Sequence, residues 1–322
     1  VSGSGPATVA AVGTMVIPSM LEKGYSKSFS LACVACAGCI GVIIPPSIPM
    51  VIYGVSTSTS ISAMFLAGFA PGIIIGTVLC LVCYFYCKKQ GWKGDDRKYT
   101  FKEKMKVVWD SKFALIEPVI ILGGIYGGIF TPTEAAAVAA VYAFICGVFI
   151  FRELNFGNIY KTIAAACSTN GTTMVIIGCA TAFTRVLTLQ QIPAMITQAI
   201  LNFSTNEVVI LILINILLLI VGCFMDTTPA MMVLSPILLP VATSLGLSPI
   251  HFGIIMVVNL AIGFITPPLG INLFVAARIG DVKLEVVCQG IIRFIIAMIV
   301  CLLAITFIPA ISEFLPRLSG ML

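Results

Sequence analysis

Charged residues are scarce in this chain of 322 residues. Only 10% of its positions are Asp, Glu, Lys or Arg, whereas 59% are hydrophobic. A soluble domain carries roughly 25% charged residues, so this chain lacks the polar groups that would cover its surface in water. The composition excludes an ordinary soluble enzyme or binding domain and indicates a protein whose main solvent is lipid.

The sequence also lacks the usual signatures of ATP hydrolysis and of catalysis. It contains no G-K-[ST] phosphate loop, which argues against an ATP-driven subunit, and no evident pairing of a nucleophile with a base. The single histidine, His251, falls in a predicted turn and is expected to be solvated. An intramembrane enzyme that uses Asp226 is an alternative, but it would need a second acid or a base at the same depth.

Cysteine, by contrast, is frequent, with 12 residues. Cys33, Cys36 and Cys39 follow each other at a spacing of three inside an apolar run. Residues at this spacing share one face of a helix, and small residues on such a face let helices approach closely. We interpret these cysteines as packing residues and not as a metal or redox centre.

Nine apolar segments follow one another along the chain, and several reach the length of about 20 residues that a helix needs to cross a bilayer. The segments are residues 29–55, 61–87, 113–130, 134–151, 162–185, 206–225, 228–244, 250–277 and 288–312. Residues 1–21 and 206–244 have polar centres with Gly and Pro, which is typical of re-entrant hairpins. The sequence thus predicts an all-α, polytopic membrane protein with two such hairpins.

Basic residues indicate the orientation of these segments. Nine of the 18 Lys and Arg lie between Lys88 and Lys112, and positively charged loops face the cytoplasm. With this loop inside, segment 29–55 starts at the cytoplasmic face and segment 250–277 at the outer face. Membrane anchoring explains the basic loop, so no nucleic-acid partner is expected, and residues 101–109 are predicted to form an interfacial helix.

Two stretches of the chain, residues 4–54 and 227–275, resemble each other. The matched positions are separated by 222 residues: Pro18 with Pro240, Gly24 with Gly246, Ser26 with Ser248, Gly41 with Gly263, and Pro45–Pro46 with Pro267–Pro268. Because the two units enter the membrane from opposite sides, they are predicted to be inverted repeats. Inverted repeats with broken helices are typical of alternating-access transporters and suit a channel less well.

Each unit contains a Pro-Pro pair that should break its helix. A proline cannot donate a hydrogen bond to the carbonyl four residues earlier, and an unpaired carbonyl in hydrocarbon costs several kcal/mol. The carbonyls freed in this way belong to Gly41, Val42, Gly263 and Phe264. A dehydrated cation could satisfy them, with hydroxyls from Ser47 and Thr266; a kinked helix satisfied by neighbouring hydroxyls and water is the alternative.

A polar tip precedes the first helix of each unit, near Pro6 and near Pro229. The free N–H groups of a helix N-terminus suit a carboxylate, so the tips are candidate substrate contacts. The candidates are Ser2, Ser4, Gly5, Ser47, Thr227, Thr228, Asn259 and Thr266. Two of the polar residues have a second interpretation: Asp226 fits a functional carboxylate or a helix N-cap, and Asn259 fits a substrate contact or a bridge between helices.

A further local pattern opens the Ala-rich segment 134–151. Thr131, Pro132 and Glu134 fit a capping box, with Thr131 as the N-cap and Glu134 three residues later. This pattern predicts a structural role at the start of a helix.

These residues resemble the large membrane subunit of tripartite ATP-independent periplasmic (TRAP) transporters. The resemblance is carried by SGSGPATVAAVGTMVIPSM, GVIIPPSIPMVIYG, GGIFTPTEAAAVAAVYA, VLTLQQIP, MDTTPAMMVLSPILLPVA and GFITPPLGINLFV. It implies a sodium-driven, elevator-type importer of organic acids such as C4-dicarboxylates or sialic acid, located in the bacterial inner membrane. It also implies a periplasmic binding protein and a small membrane subunit as partners, and an N-terminal region of the family that is missing here.

The resemblance further implies two sodium sites and a division of the chain. Site 1 comprises Ser2, Gly3, Ser4, Gly41, Val42 and Pro45, and site 2 comprises Asp226, Thr227, Gly263, Phe264 and Thr266. The expected division is a transport domain from residues 1–60 and 206–280, with scaffold spans in 61–205 and 281–322. No cofactor is expected besides sodium as the coupling ion, and a sodium–dicarboxylate symporter that needs no binding protein is the alternative function.

Overall fold

The structure, a computed structural model, describes residues 3–94, 100–203 and 206–322. Within these ranges the chain is helical and has no β-strand. Seven helical segments are long and apolar enough to cross a membrane. The prediction of an all-α, polytopic membrane protein is therefore confirmed.

The described part of the chain forms fifteen α-helices. Their bounds are α1 Gly5–Glu22, α2 Lys27–Ile43, α3 Ile48–Thr57, α4 Ile61–Gln90, α5 Phe101–Asp110, α6 Lys112–Tyr126, α7 Pro132–Ile145, α8 Phe156–Leu189, α9 Ile192–Phe203, α10 Glu207–Phe224, α11 Thr227–Ser244, α12 Pro249–Gly263, α13 Ile271–Ile279, α14 Leu284–Phe307 and α15 Ala310–Leu318. A short π-helix, Cys146–Ile150, continues α7.

Two compact units can be distinguished, residues 100–180 and residues 3–94 with 181–322. In the smaller unit α7 starts with the predicted capping box: the Thr131 N–H donates to Glu134 Oε2 at 2.8 Å, and the Glu134 N–H donates to Thr131 Oγ1 at 3.3 Å. The predicted helix over residues 101–109 is present as the exposed α5, and its place at a membrane surface stays a prediction.

The core of the larger unit is α12, in which every residue from Ile250 to Gly263 is buried. A helix that is apolar on all sides is buried either in protein or in lipid, and α12 packs against α2, α10, α11 and α14. The helices α4 and α14 also pack on α2 in this unit. The predicted division into a moving domain and a scaffold concerns motion and stays a prediction.

His251 does not lie in a solvated turn, as the sequence suggested. It is completely buried in the first turn of α12. Its Nδ1 atom lies 2.6 Å from Ser312 Oγ, and its Nε2 atom lies 3.3 Å from the Thr306 carbonyl oxygen. The prediction was wrong because α15, more than fifty residues further along the chain, packs over this end of α12.

An acid on α15 completes the contact between these two helices. Ser248, the N-cap of α12, donates to Glu313 Oε1 at 2.5 Å, and Arg317 Nη2 donates to Glu313 Oε2 at 2.6 Å. Burial alone would raise the pKa of the Glu313 carboxyl, but the hydrogen bonds from Ser248 and Arg317 and the positive charge of Arg317 lower it more. The pKa of Glu313 therefore lies below its ordinary value, and the hydrogen bond from Ser248 to Glu313 ties α15 to the start of α12.

Candidate functional site

The first Pro-Pro pair breaks the helix between α2 and α3, as predicted. Pro45 and Pro46 are joined by a cis peptide bond. Ser47 caps α3: its Oγ accepts a hydrogen bond from the Met50 N–H at 3.4 Å and donates one to the Val42 carbonyl oxygen at 2.5 Å. The Val42 carbonyl, expected to lack a helical partner, is thus paired with a hydroxyl from the break itself.

The first polar tip lies directly beside this break. The Ile48 N–H donates to the Gly3 carbonyl oxygen at 3.3 Å. Gly3 has a φ of +62°, and a Cβ at this position would come within 3.1 Å of the Pro46 carbonyl oxygen. Gly41 faces the same tip, because its Cβ would lie 2.3 Å from Thr8 Oγ1 and 3.4 Å from the Ser4 carbonyl oxygen. Only a residue without a side chain allows this approach.

The predicted members of sodium site 1 are therefore neighbours, apart from Ser2, which lies outside the described residues. Gly3 and Ser4 belong to the tip, whereas Gly41, Val42 and Pro45 belong to the break. Their role in binding a cation stays a prediction.

The second break separates α12 from α13. The Pro267–Pro268 bond is also cis. The Gly263 carbonyl accepts a hydrogen bond from the Thr266 N–H at 3.2 Å, and the Phe264 carbonyl accepts one from the Asn272 N–H at 3.0 Å. Three of the four carbonyls named from the sequence thus have a partner, although a carbonyl oxygen keeps a second lone pair that a cation could use.

The end of α10, just before the second tip, approaches this break very closely. A Cβ on Gly263 would lie 2.3 Å from the Gly222 carbonyl oxygen. The Leu269 N–H donates to the Cys223 carbonyl oxygen at 3.1 Å. This approach places residues 222–223 at the end of α10 against residues 263–269 of the break; the predicted re-entrant hairpins stay a prediction.

At the second tip, Asp226 is the N-cap of α11. Its Oδ1 atom accepts a hydrogen bond from the Thr227 N–H at 2.6 Å, which confirms the N-cap interpretation. Thr227 is buried and Thr228 is half-buried in the first turn. The carboxylate of Asp226 is exposed, so a second, functional role stays a prediction. The hydroxyl of Thr266 donates to the Ile262 carbonyl oxygen at 2.8 Å.

The first tip also contacts the second break, and the contact involves a residue that the sequence reasoning missed. A Cβ on Gly5 would lie 3.0 Å from the Phe264 ring and 3.1 Å from Asn272 Oδ1. Asn272 is fully buried; its Nδ2 atom donates to the Ala35 carbonyl at 3.0 Å, while its Oδ1 atom has no hydrogen-bond partner among the described residues. A lone amide in the apolar run after the second Pro-Pro pair was the available signal.

Asn259 lies one turn before Gly263 and is fully buried. Its Nδ2 atom donates to Asn215 Oδ1 on α10 at 2.6 Å, and Asn215 Nδ2 donates to Thr306 Oγ1 on α14 at 3.2 Å. Thr306 is also the residue whose carbonyl faces His251. These side chains form a continuous polar connection between three helices, which gives Asn259 the bridging contact considered from the sequence.

We expect a double-mutant cycle of Asn259→Leu and Asn215→Leu to detect this bridge. Hydrogen bonds between helices in membranes contribute about 0.6 kcal/mol on average and at most about 1.7 kcal/mol in such cycles, and the coupling energy from thermal unfolding in detergent should fall in this range. If Asn259 instead contacts the substrate, Asn259→Leu would weaken substrate binding while its coupling to Asn215 would be close to zero.

Equivalent elements recur at the offset of 222 seen in the sequence. Ser26 and Ser248 are the N-caps of α2 and α12, and Gly24 and Gly246 have φ values of +78° and +84°. Helices α1 and α11 each contain 18 residues. The two repeats, residues 4–54 and 227–275, also meet at equivalent positions, because Cys39 Sγ donates to the Ala261 carbonyl oxygen at 3.1 Å. Their inverted orientation in a membrane stays a prediction.

Comparisons with known proteins identify the family. The chain matches the family described as "Tripartite ATP-independent periplasmic transporter, DctM component" over residues 1–311. It is 50% identical over 314 residues to the isethionate TRAP transporter permease protein DctMQ of Oleidesulfovibrio alaskensis, covering 98% of this chain and 49% of that protein.

Two further relatives agree with this family. The C4-dicarboxylate TRAP transporter large permease protein DctM of Pseudomonas aeruginosa is 40% identical, with 99% of this chain and 75% of that protein covered. The sialic acid TRAP transporter large permease protein SiaM of Vibrio cholerae is 36% identical, with 98% and 74% covered. The chain thus spans about half the length of the first relative and about three quarters of the other two.

These relatives are permeases, so the alternative of an intramembrane enzyme is wrong. Together with the seven candidate spans, they identify a multi-pass protein of the bacterial inner membrane. The chain belongs to the DctM component family of the tripartite ATP-independent periplasmic transporters.

Proposed function

We propose that this chain is the substrate-translocating part of a sodium-coupled importer of organic acids. The observation that carries the proposal is the contact of the first tip with both helix breaks. Gly3 is hydrogen-bonded to the first break through Ile48, and Gly5 packs against Phe264 of the second. Broken helices whose ends converge are the places where membrane transporters bind ions and substrates.

The chemistry of the breaks suits a hard cation. The two proposed sodium sites combine backbone carbonyl oxygens with the hydroxyls and the carboxylate of the tips, and such oxygens are the ligands that hard cations prefer. The unpaired Oδ1 of the buried Asn272 lies at the contact between the first tip and the second break. We propose it as an additional oxygen that a bound cation or an ordered water satisfies.

The N-termini of α1 and α11 suit the anionic group of the substrate. Each helix presents N–H groups without intrahelical partners in its first turn, and the positive end of the helix dipole favours an anion. The relatives are named for isethionate, C4-dicarboxylates and sialic acid, all of which carry an acidic group. We therefore propose a carboxylate or sulfonate as substrate, bound near Ser4, Gly5, Thr227 and Thr228.

The proposed assembly contains two partners, a periplasmic substrate-binding protein and a small membrane subunit. Residues 4–54 and 227–275 are proposed to be inverted repeats that move together against a scaffold as an elevator. Membership of a tripartite periplasmic transporter family favours this assembly over a symporter that works alone.

We expect uptake by the complete transporter in proteoliposomes to require an inward sodium gradient and the binding protein, and to proceed without ATP. The binding protein delivers the anion, and the sodium gradient supplies the free energy. The measurement is uptake of radiolabelled isethionate, succinate or sialic acid, with potassium replacing sodium as the control. Full uptake driven by a proton gradient in sodium-free buffer would contradict the cation assignment, and uptake without the binding protein would favour the independent symporter.

A further inference from the structure

Five cysteines lie on the facing sides of α2 and α4. Cys33 and Cys36 are on α2, and Cys80, Cys83 and Cys87 are on α4, at spacings that keep them on one face of each helix. All five line one apolar cavity of about 330 Å³. The spacing of the three cysteines on α2 predicts packing residues and not a redox centre, but this interpretation leaves out the cysteines on α4, which become neighbours of Cys33 and Cys36 through folding.

Two of these thiols are in contact. The Sγ atoms of Cys33 and Cys83 are 3.6 Å apart, and both residues are half-buried. A disulfide has a bond length of about 2.05 Å, so the sulfur atoms need to approach by about 1.5 Å to form one.

An aromatic cluster one turn away fixes the register that brings the two thiols together. Phe29, one turn before Cys33, stacks on Tyr86, nearly one turn after Cys83, with ring centroids 5.0 Å apart. The guanidinium of Arg293 lies over the Tyr86 ring at 3.6 Å from its centroid. The Phe29–Tyr86 and Cys33–Cys83 contacts together place α2 and α4 antiparallel, in a register that sets the two thiols opposite each other.

Polar reagents have a route to the pair. Cys33, Cys83 and Cys87 also line a second cavity of about 460 Å³, whose other lining residues include Lys23 and Gly94. Lys23 is exposed and Gly94 follows the C-terminal end of α4, so this cavity lies at the polar ends of the helices. The basic residues nearby predict that this end faces the cytoplasm.

We propose that Cys33 and Cys83 are an oxidisable thiol pair that closes to an intramolecular disulfide when a hydroperoxide is present. One thiol gives up its proton and, as the thiolate, attacks an oxygen of the peroxide; the O–O bond breaks, a sulfenic acid forms, and the departing hydroxide takes up the proton as water. The second thiol then attacks the sulfenic sulfur, the S–S bond forms, and a second water leaves. Two thiols and one hydrogen peroxide thus give one disulfide and two waters.

The product is a covalent link between α2, which carries the carbonyls of the first break, and α4. In the reducing cytoplasm the thiols are the resting form, and the bond forms during oxidative exposure and is reversed by thiol exchange. This inference does not depend on the substrate or on sodium coupling.

The test uses the whole protein in membranes. Samples treated with hydrogen peroxide are blocked with N-ethylmaleimide, digested without reductant and analysed by mass spectrometry. We expect a linked pair of peptides containing Cys33 and Cys83, lighter by two hydrogens than the sum of the free peptides. Dithiothreitol should release it.

The variants Cys33→Ser and Cys83→Ser should each abolish this linked species. Cys80→Ser, on the same helix and the same cavity, should leave it unchanged and is the matched control. The linked peptides found in the wild-type protein show whether Cys33 and Cys83 form a disulfide, even if a variant folds poorly. A folded wild-type protein that yields no link between these residues, or that links Cys33 to Cys80 or Cys87 instead, would overturn the proposal.

Discussion

Replacing Gly263 with alanine should abolish sodium-driven uptake and destabilise the protein. The new Cβ would lie 2.3 Å from the Gly222 carbonyl oxygen and 2.5 Å from its carbonyl carbon. These are backbone atoms, which cannot rotate away as a side chain can, so α10 and α12 must separate. Overpacking of this kind typically costs roughly 1–3 kcal/mol, and the separation also displaces the second break, which the end of α10 contacts.

Thermal unfolding in detergent and uptake in proteoliposomes measure the two effects. The matched control is Gly76→Ala on α4, where the nearest atom to the new Cβ is a side-chain carbon of Ile40 at 3.7 Å. Alanine favours a helix over glycine by about 1 kcal/mol, so this control should keep both stability and uptake. If Gly263→Ala behaves like the control, the close approach at Gly222 is not required for transport.

Replacing both Pro267 and Pro268 with alanine should lower the sodium affinity about tenfold, a loss of about 1.4 kcal/mol. Alanine is better than proline in a helix by about 3 kcal/mol per residue, and the restored N–H groups can reach the carbonyls of Gly263 and Phe264. The helix then tends to close, which displaces the Asn272 N–H from the Phe264 carbonyl. The carbonyl oxygens of Gly263 and Phe264 then accept hydrogen bonds within the helix, and they are therefore poorer cation ligands.

Sodium dependence of uptake and direct sodium binding by calorimetry measure this loss. The same change at Pro45 and Pro46 should weaken the other proposed site. Pro118→Ala is the control, since this proline lies inside α6 in the other compact unit, and it should leave sodium affinity unchanged. A double variant that inserts normally and binds sodium as tightly as the original protein would mean that the proline pairs are plain kinks.

Local sequence patterns were sufficient for much of the fold. The capping box at Thr131 and Glu134, the N-cap at Asp226 and both Pro-Pro breaks depend on residues within a few positions of each other. The lengths of the apolar segments predicted most of the candidate spans. The segment 113–130 is represented by α6, whose 15 residues are shorter than a full span.

The features that the sequence did not reveal arise from contacts between distant helices. His251 was misplaced because α15 covers it, and Asn272 was overlooked because its neighbours, Gly5 and Ala35, lie more than two hundred residues earlier in the chain. The pairing of freed carbonyls was also missed: Phe264 finds its partner at Asn272, beyond the reach of a helical hydrogen bond. Periodicity indicates which face of a helix is buried, but it does not indicate which residue lies opposite.

The hydrogen bond from Cys39 Sγ to the Ala261 carbonyl oxygen joins two positions that are equivalent in the two repeats. The contact joins the side chain of Cys39 to the backbone of Ala261, and backbone atoms cannot rotate away from a larger group. Position 39 should therefore keep a small side chain among relatives, whatever residue stands at position 261. The second repeat would in this way restrict the evolution of its counterpart in the first.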